Sequence, residues 1–322
     1  MLLILLVVVS APPLLGSRVG GALGLLDRAD PAWLWLAGGG FVLAVIGGAG
    51  SWLSAIRLCG GQLRFVDAFA RFGVGSLVNT FVPARAGDAV RVGLFSRALP
   101  NRERLWTAGG AFAALMAART LVLSAIVVAG AVTGALPAWT LVVLAAVVAG
   151  GAALAYRARR RTEEGRLGHV LDAFRALGRE PRAALRLFAW IALSTAGFFL
   201  AATAVGAALG IHRPLVAALL IVPAVEVAGL VPVTPGNVGV TSGAIAIAFR
   251  AHGISLAHGL AAGIAFHAVE TAVGILYGLT SLVWVAPYPS PGLRRVAVVG
   301  VLASGFLAIA GTFSATVLVP LV

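Results

Sequence analysis

The chain has 322 residues, 60% hydrophobic and 11% charged, with a mean hydropathy of +1.02 and a formal net charge of +13. Soluble domains carry about 25% charged residues, so a soluble globular protein is excluded. The single cysteine, Cys59, excludes an internal disulfide or a thiolate metal cluster.

All 24 basic residues are arginine, as a high-GC genome favours, and they gather between apolar blocks. That distribution fits the cytoplasmic loops of a membrane protein and contact with anionic headgroups. It does not fit the continuous basic face of a nucleic-acid binder.

A spanning helix needs about 20 apolar residues. The first block, 2–16, lacks a basic flank and reads as a membrane helix kinked at Pro12 and Pro13 rather than a cleaved signal. Further blocks fall at 33–54, 106–133, 138–156, 188–210, 255–285 and 297–321. Two more, 72–96 and 214–249, are apolar but interrupted by Pro, Gly and charge. Each is expected to enter the membrane and turn back, which irregular backbone can do only under cover of protein or a wet cavity.

The longest polar stretch, 157–186, holds nine arginines against four acids and is expected on the cytoplasmic side. Within it Leu167, Val170, Leu171, Phe174 and Leu177 have the spacing of an amphipathic surface helix or a connecting helix. With that loop inside, 97–104 and 57–71 also fall inside, as does the Arg294/Arg295 loop. Segments 134–137 and 211–213 fall outside, with Arg250 and His252.

The expected architecture is an all-α polytopic membrane protein forming one transmembrane domain over 1–322. It has about 7 spanning helices plus two re-entrant, broken helical hairpins. Residues 33–133 read as helix, hairpin entering from inside, helix. Residues 188–285 repeat that order from the opposite side, and 297–321 is a final helix. The broken segments LVNTFVPARAGDAVRVGLF and LVPVTPGNVGVTSGAIAIAF both place a proline four residues before a glycine, Pro83/Gly87 and Pro235/Gly239. Paired broken segments in inverted halves point to a transporter's binding site.

The first break carries Asn79, Arg85, Asp88 and Arg91. Charges at membrane depth are costly and usually functional, and two guanidinium forks suit a phosphate. Asp88 would orient one of them or carry a proton. Alternatively these groups lie at the membrane surface, with Asp88 and Arg91 an ordinary i, i+3 pair. Arg119 lies mid-way along a spanning block and needs a partner, Glu226 or Glu270, unless it snorkels. His267 and Glu270 share a helix face. That spacing suits a proton relay or a hydrogen-bonded helix contact better than a metal site.

In the second break, Pro235, Gly236, Asn237 and Gly239 form a turn that can present backbone N–H groups at the start of a half-helix. The candidate substrate-binding set is therefore Asn79, Arg85, Asp88, Arg91, Arg119, Pro235, Gly236, Asn237 and Gly239. Asp88, Glu226, His267 and Glu270 balance charge or couple to protons. No Walker loop, dinucleotide fingerprint or GxSxG elbow occurs, so no cofactor and no catalytic residue is expected.

At the two breaks the chain resembles the lysylphosphatidylglycerol synthase transmembrane region family of flippase-like proteins. The first motif is Asn, three residues, then P-x-R-x-G-[DE]-x-x-R, matched by Asn79, Pro83, Arg85, Gly87, Asp88 and Arg91. The second, P-x-x-P-G-G-[LV]-G-x-x-E, is matched at Pro232, Pro235, Gly236, Val238 and Gly239. Asn237 replaces a glycine, and Ser242 stands at the glutamate position. The family's arginine in the next helix falls at about His267.

The resemblance, over roughly 30–290, implies lipid translocation in a bacterial inner membrane. The cargo would be an anionic or aminoacylated phospholipid, or a polyprenyl-linked or other glycolipid. It also implies membrane lipids as partners and an association with a lipid-modifying synthase. The alternatives are a membrane-embedded transferase acting on a lipid phosphate, with Asp88 as base, and a non-transporting partner of a lipid-synthesis complex.

Overall fold

The computed structural model describes residues 20–82, 86–100, 102–132, 134, 136, 139–161, 174–175, 178–229, 238–287 and 290–318. The side chains of 139, 143, 147, 154–161, 227, 238, 306 and 308–318 are outside the description. The described residues are almost entirely helical. In chain order the elements are α1 (Pro31–Leu58), α2 (Phe65–Phe81), α3 (Ala86–Ser96), α4 (Arg104–Val132), α5 (Trp139–Arg161), α6 (Pro181–Ala208), α7 (Pro214–Ala228), α8 (Val238–Ala251), α9 (Leu256–Val285) and α10 (Pro291–Leu318).

The boundaries follow from local chemistry. Asp30 caps α1, its carboxylate accepting from the Ala32 N–H at 2.9 Å, and Pro31 occupies the first helical position. The helix ends where Gly60, at φ +83°, turns the chain left-handed. Ser255 caps α9 through the His258 N–H at 3.2 Å. Prolines also open α6, α7 and α10.

Four described helices, α1, α4, α6 and α9, are long and apolar enough to cross a membrane. The chain is thus a multi-pass helical membrane protein. The 2–16 block lies outside the described residues. The 157–186 stretch is shorter as a loop than expected: α5 continues to Arg161 and α6 already begins at Pro181. Arginine heads at a membrane edge can reach water while their stems stay helical. The amphipathic pattern at 167–177 lies mostly outside the described residues.

Helices α1–α4 run 28, 17, 11 and 29 residues, and α6–α9 run 28, 15, 14 and 30. Both runs are long, short, short, long. The leading helices, α1 and α6, form the most extensive contact in the molecule. They cross antiparallel on small residues. A Cβ at Gly40 would stand 2.7 Å from the Ala201 nitrogen, and one at Gly197 would meet the Ala44 backbone. Without a hydrophobic force between helices in lipid, such close backbone approach is what holds them. Ser194 adds an interhelical bond, its hydroxyl donating to the Ala44 carbonyl at 2.9 Å.

Two apolar clusters result. One stacks Trp52 between Phe95 and Phe112, at 4.8 and 5.4 Å. The other centres on Phe41, Phe249 and Phe266. Members of both wall a polar cavity between the two runs.

Candidate functional site

The cavity holds about 350 Å³ and is lined from α1, α2, α3, α4, α6, α7, α8 and α9. It gathers Asn79, Asp88, Arg91, Arg119, Glu226, His267 and Glu270, which lie up to 191 positions apart in the chain. Gly239 lies in the first turn of α8 and is exposed. Pro83, Arg85, Pro232, Pro235, Gly236 and Asn237 lie outside the described residues.

The α2–α3 hairpin explains its motif. Asn79, near the end of α2, accepts from the Gly87 N–H at 2.6 Å and so satisfies a free donor in the first turn of α3. Its amide reaches Asp88 at 3.4 Å. Gly87 is required because a Cβ there would collide with the Gly75 carbonyl and with Asn79. Asp88 sits in the first turn of α3, where a helix favours negative charge.

Arg91, one turn on, pairs with Asp88 at 2.5 Å, donates to Ser76 Oγ at 2.7 Å and reaches the Phe72 carbonyl at 3.3 Å. Its guanidinium lies over the Phe72 ring, 4.0 Å from the centroid. The i, i+3 pair therefore forms, but with side chains only 12% and 17% exposed and facing the cavity. These bonds use at least three of Arg91's five N–H groups, so much of its donor capacity fastens α3 to α2.

Arg119 pairs with Glu226 of α7, and its guanidinium lies 5.8 Å from the Phe198 ring. With 35% and 27% of their side chains exposed, this pair is more open than Asp88–Arg91. His267 Nδ1 lies 3.1 Å from Glu270 Oε2 along α9. His267 is buried and, among the described residues, its Nε2 finds no partner, while Glu270 is 37% exposed. Among the described residues no group of three metal-ligating side chains forms.

The described lining carries two guanidinium groups against three carboxylates.

The walls differ between the runs. Helix α2 packs closely on α9: Gly278 receives Leu77, a Cβ at Gly73 would collide with Ser281, and Tyr277 donates to the Phe69 carbonyl at 2.5 Å. Among the described residues α7 meets α4 over a short stretch, and the Arg119–Glu226 pair bridges it.

A sequence model of the lysylphosphatidylglycerol synthase TM region matches residues 1–278. The chain belongs to that family. No curated protein and no solved structure matches it. In this member of the lysylphosphatidylglycerol synthase TM-region family, Ser242 on α8 is buried against α9, where Gly263 leaves room for it. His267 follows Gly263 by one helical turn.

Sequence reasoning missed the hydroxyl groups of the lining: Ser51, Ser76, Thr80, Ser194, Thr195, Thr241 and Thr271. A signal existed in α2, where Phe72, Ser76, Asn79 and Thr80 follow the i, i+4, i+7, i+8 spacing of one helical face.

Proposed function

We propose that the chain moves the headgroup of a phospholipid or other phosphate-bearing lipid between membrane leaflets. The carrying observation is the polar cavity between two runs of like helix order, where arginines and carboxylates are held beside Phe41, Phe72 and Phe198. Charged groups at such depth are expensive unless a wet pathway uses them. In this reading the short helices α2–α3 and α7–α8 are re-entrant hairpins of an inverted repeat. The antiparallel crossing of α1 and α6 supports that relation.

Arg119 would receive the phosphate, because it is the more exposed of the two lining arginines. Arg91, Asp88 and Asn79 hold the floor. Arg85 and the PGNVG segment, Pro235, Gly236, Asn237 and Gly239, are further candidates for the phosphate by their chemistry. The three carboxylates of the described lining suit a headgroup that carries an amine or hydroxyl groups beside its phosphate, with Glu270 as their acceptor and Glu226 and His267 balancing charge. Acyl chains would stay in lipid. Residence in a bacterial inner membrane, with 157–186 cytoplasmic, is part of the same reading.

The test is leaflet exchange of labelled phosphatidylglycerol, its aminoacyl ester and phosphatidylcholine in proteoliposomes. Wild type should exceed empty liposomes, and Arg119→Gln should lower the rate at least about tenfold, the loss expected when one charged contact of about 1.4 kcal/mol or more disappears. Equal rates for wild type and Arg119→Gln would remove the site assignment. Wild-type rates no greater than those of empty liposomes would remove the transport reading.

A further inference from the structure

A second cavity, of about 420 Å³, lies at the junction of the α1 C-terminus and the α6 N-terminus. It shares no lining residue with the central one. Its walls are Leu53, Leu58 and Phe65 on one side and Ala183 and Trp190 on the other. Arg57, Arg186 and Glu180 supply the charge.

The antiparallel crossing of α1 and α6 brings these residues together. Gly50 lies under the Trp190 ring, so two turns further on the last turn of α1 meets the first turns of α6. Trp190 stacks on Phe65 at 5.7 Å and 24°, forming an aromatic partition. Beyond it, Ile191 and Ser194 face the central cavity.

Arg57 gives one N–H to the Leu63 carbonyl at 2.8 Å, which leaves most of its fork free. Among the described residues neither Arg57 nor Arg186 forms an ion pair, although Glu180 lines the same cavity. Arg57 and Arg186 are both exposed, so their guanidinium groups stand open to an incoming anion beside an apolar and aromatic wall. Arg57 also borders a more open hollow of about 580 Å³ that adds Arg64 and Gln62. The position belongs to the arginine-rich end of the helices, where anionic headgroups concentrate.

We propose that this cavity is a second lipid site, which binds the phosphate of an anionic phospholipid between Arg57 and Arg186 while its glyceride rests on Leu53, Phe65 and Trp190. The phosphate oxygens accept from the two guanidinium forks. Glu180 sets the selectivity, because its carboxylate repels a bare multivalent anion more than a singly charged diester. The site is independent of transport through the central cavity.

The experiment measures binding to the purified full-length chain in neutral detergent by native mass spectrometry. The probes are dihexanoyl-phosphatidylglycerol, dihexanoyl-phosphatidylcholine and inorganic phosphate. Phosphatidylglycerol should bind saturably and displace phosphate. Its affinity should fall at least about tenfold in Arg57→Gln/Arg186→Gln, as for loss of one charge-assisted contact or more. Glu180→Gln should tighten binding, which keeps the test decisive if the double variant does not fold. Measured in an Arg119→Gln background, which removes the central phosphate contact, the Arg57→Gln/Arg186→Gln loss should persist, so failure of transport and failure of this site are read separately. Equal binding of phosphatidylcholine, or unchanged phosphatidylglycerol binding in the double variant, overturns the site. Inorganic phosphate binding as tightly as phosphatidylglycerol overturns the lipid assignment.

Discussion

Asp88→Asn should destabilise the fold far more than Glu226→Gln, although each removes one carboxylate from an arginine. The difference lies in burial. Arg91 and Asp88 are 12% and 17% exposed, while Arg119 and Glu226 are 35% and 27% exposed. Removing one partner of a buried pair costs about 3–5 kcal/mol, because the remaining charge is stranded. Asparagine keeps an oxygen acceptor, and Ser76 and the Phe72 carbonyl still hold Arg91. The loss should therefore fall to about 2–3 kcal/mol, the scale of a hydrogen bond to a charged group. The open pair is screened by water and should lose about 1 kcal/mol or less.

The assay is equilibrium unfolding in mixed micelles, followed by fluorescence of the seven tryptophans. A gap of about 1–2 kcal/mol between the variants corresponds to a factor of about 5–30 in the unfolding constant. Arg91→Gln added to Asp88→Asn should recover part of the loss, since no unpaired charge then remains. Equal losses for the two single variants, or a silent Asp88→Asn, would refute the assignment of Asp88–Arg91 as the hairpin's buried fastening.

Gly47→Val should cost about 1–3 kcal/mol, the range for overpacking, because its new Cβ would meet the Ser194 and Trp190 backbone. Gly150→Val, in α5 with open space around it, should be neutral in the same unfolding assay. The inverted repeat is tested by cysteines at Arg102 and Ala251 in a Cys59→Ser background. A membrane-impermeant maleimide should label one in intact cells and the other only after permeabilisation, and labelling of both from one side would sink the inversion.

Much of the fold was legible because a bilayer allows few solutions. The long apolar blocks at 33–54, 106–133, 188–210 and 255–285 became α1, α4, α6 and α9, since twenty apolar residues can satisfy their backbone in lipid only as helix. Helical structure runs through 157–161 and 181–186 because arginine marks the membrane edge by charge yet carries good helix propensity. In the site, Asn79, Asp88 and Arg91 stood out as polar groups in an apolar run. Their division of labour did not, because Gly75 and Ser76 on α2 decide it and lie across the hairpin. Arg119's partner was open between two glutamates until helix packing brought α7 against α4. The cavity hydroxyls were illegible for a simple reason: serine and threonine are tolerated on any face of a membrane helix by bonding back to their own backbone, as Ser76 and Thr80 do.

The two ion pairs suit different parts of one task. A carrier site must bind well enough to admit a headgroup and weakly enough to release it. Asp88–Arg91 cannot exchange partners cheaply, because a departing carboxylate would leave the guanidinium buried. It therefore fixes the α2–α3 hairpin. Arg119–Glu226 can exchange more readily, because its side chains are 35% and 27% exposed. Under the proposed function, a phosphate arriving at Arg119 would replace Glu226 at nearly constant charge, and the freed Glu226 carboxylate would face an amine of the same headgroup. That exchange would also break the bridge between α4 and α7, so that occupancy of the site and loosening of its wall would be the same event.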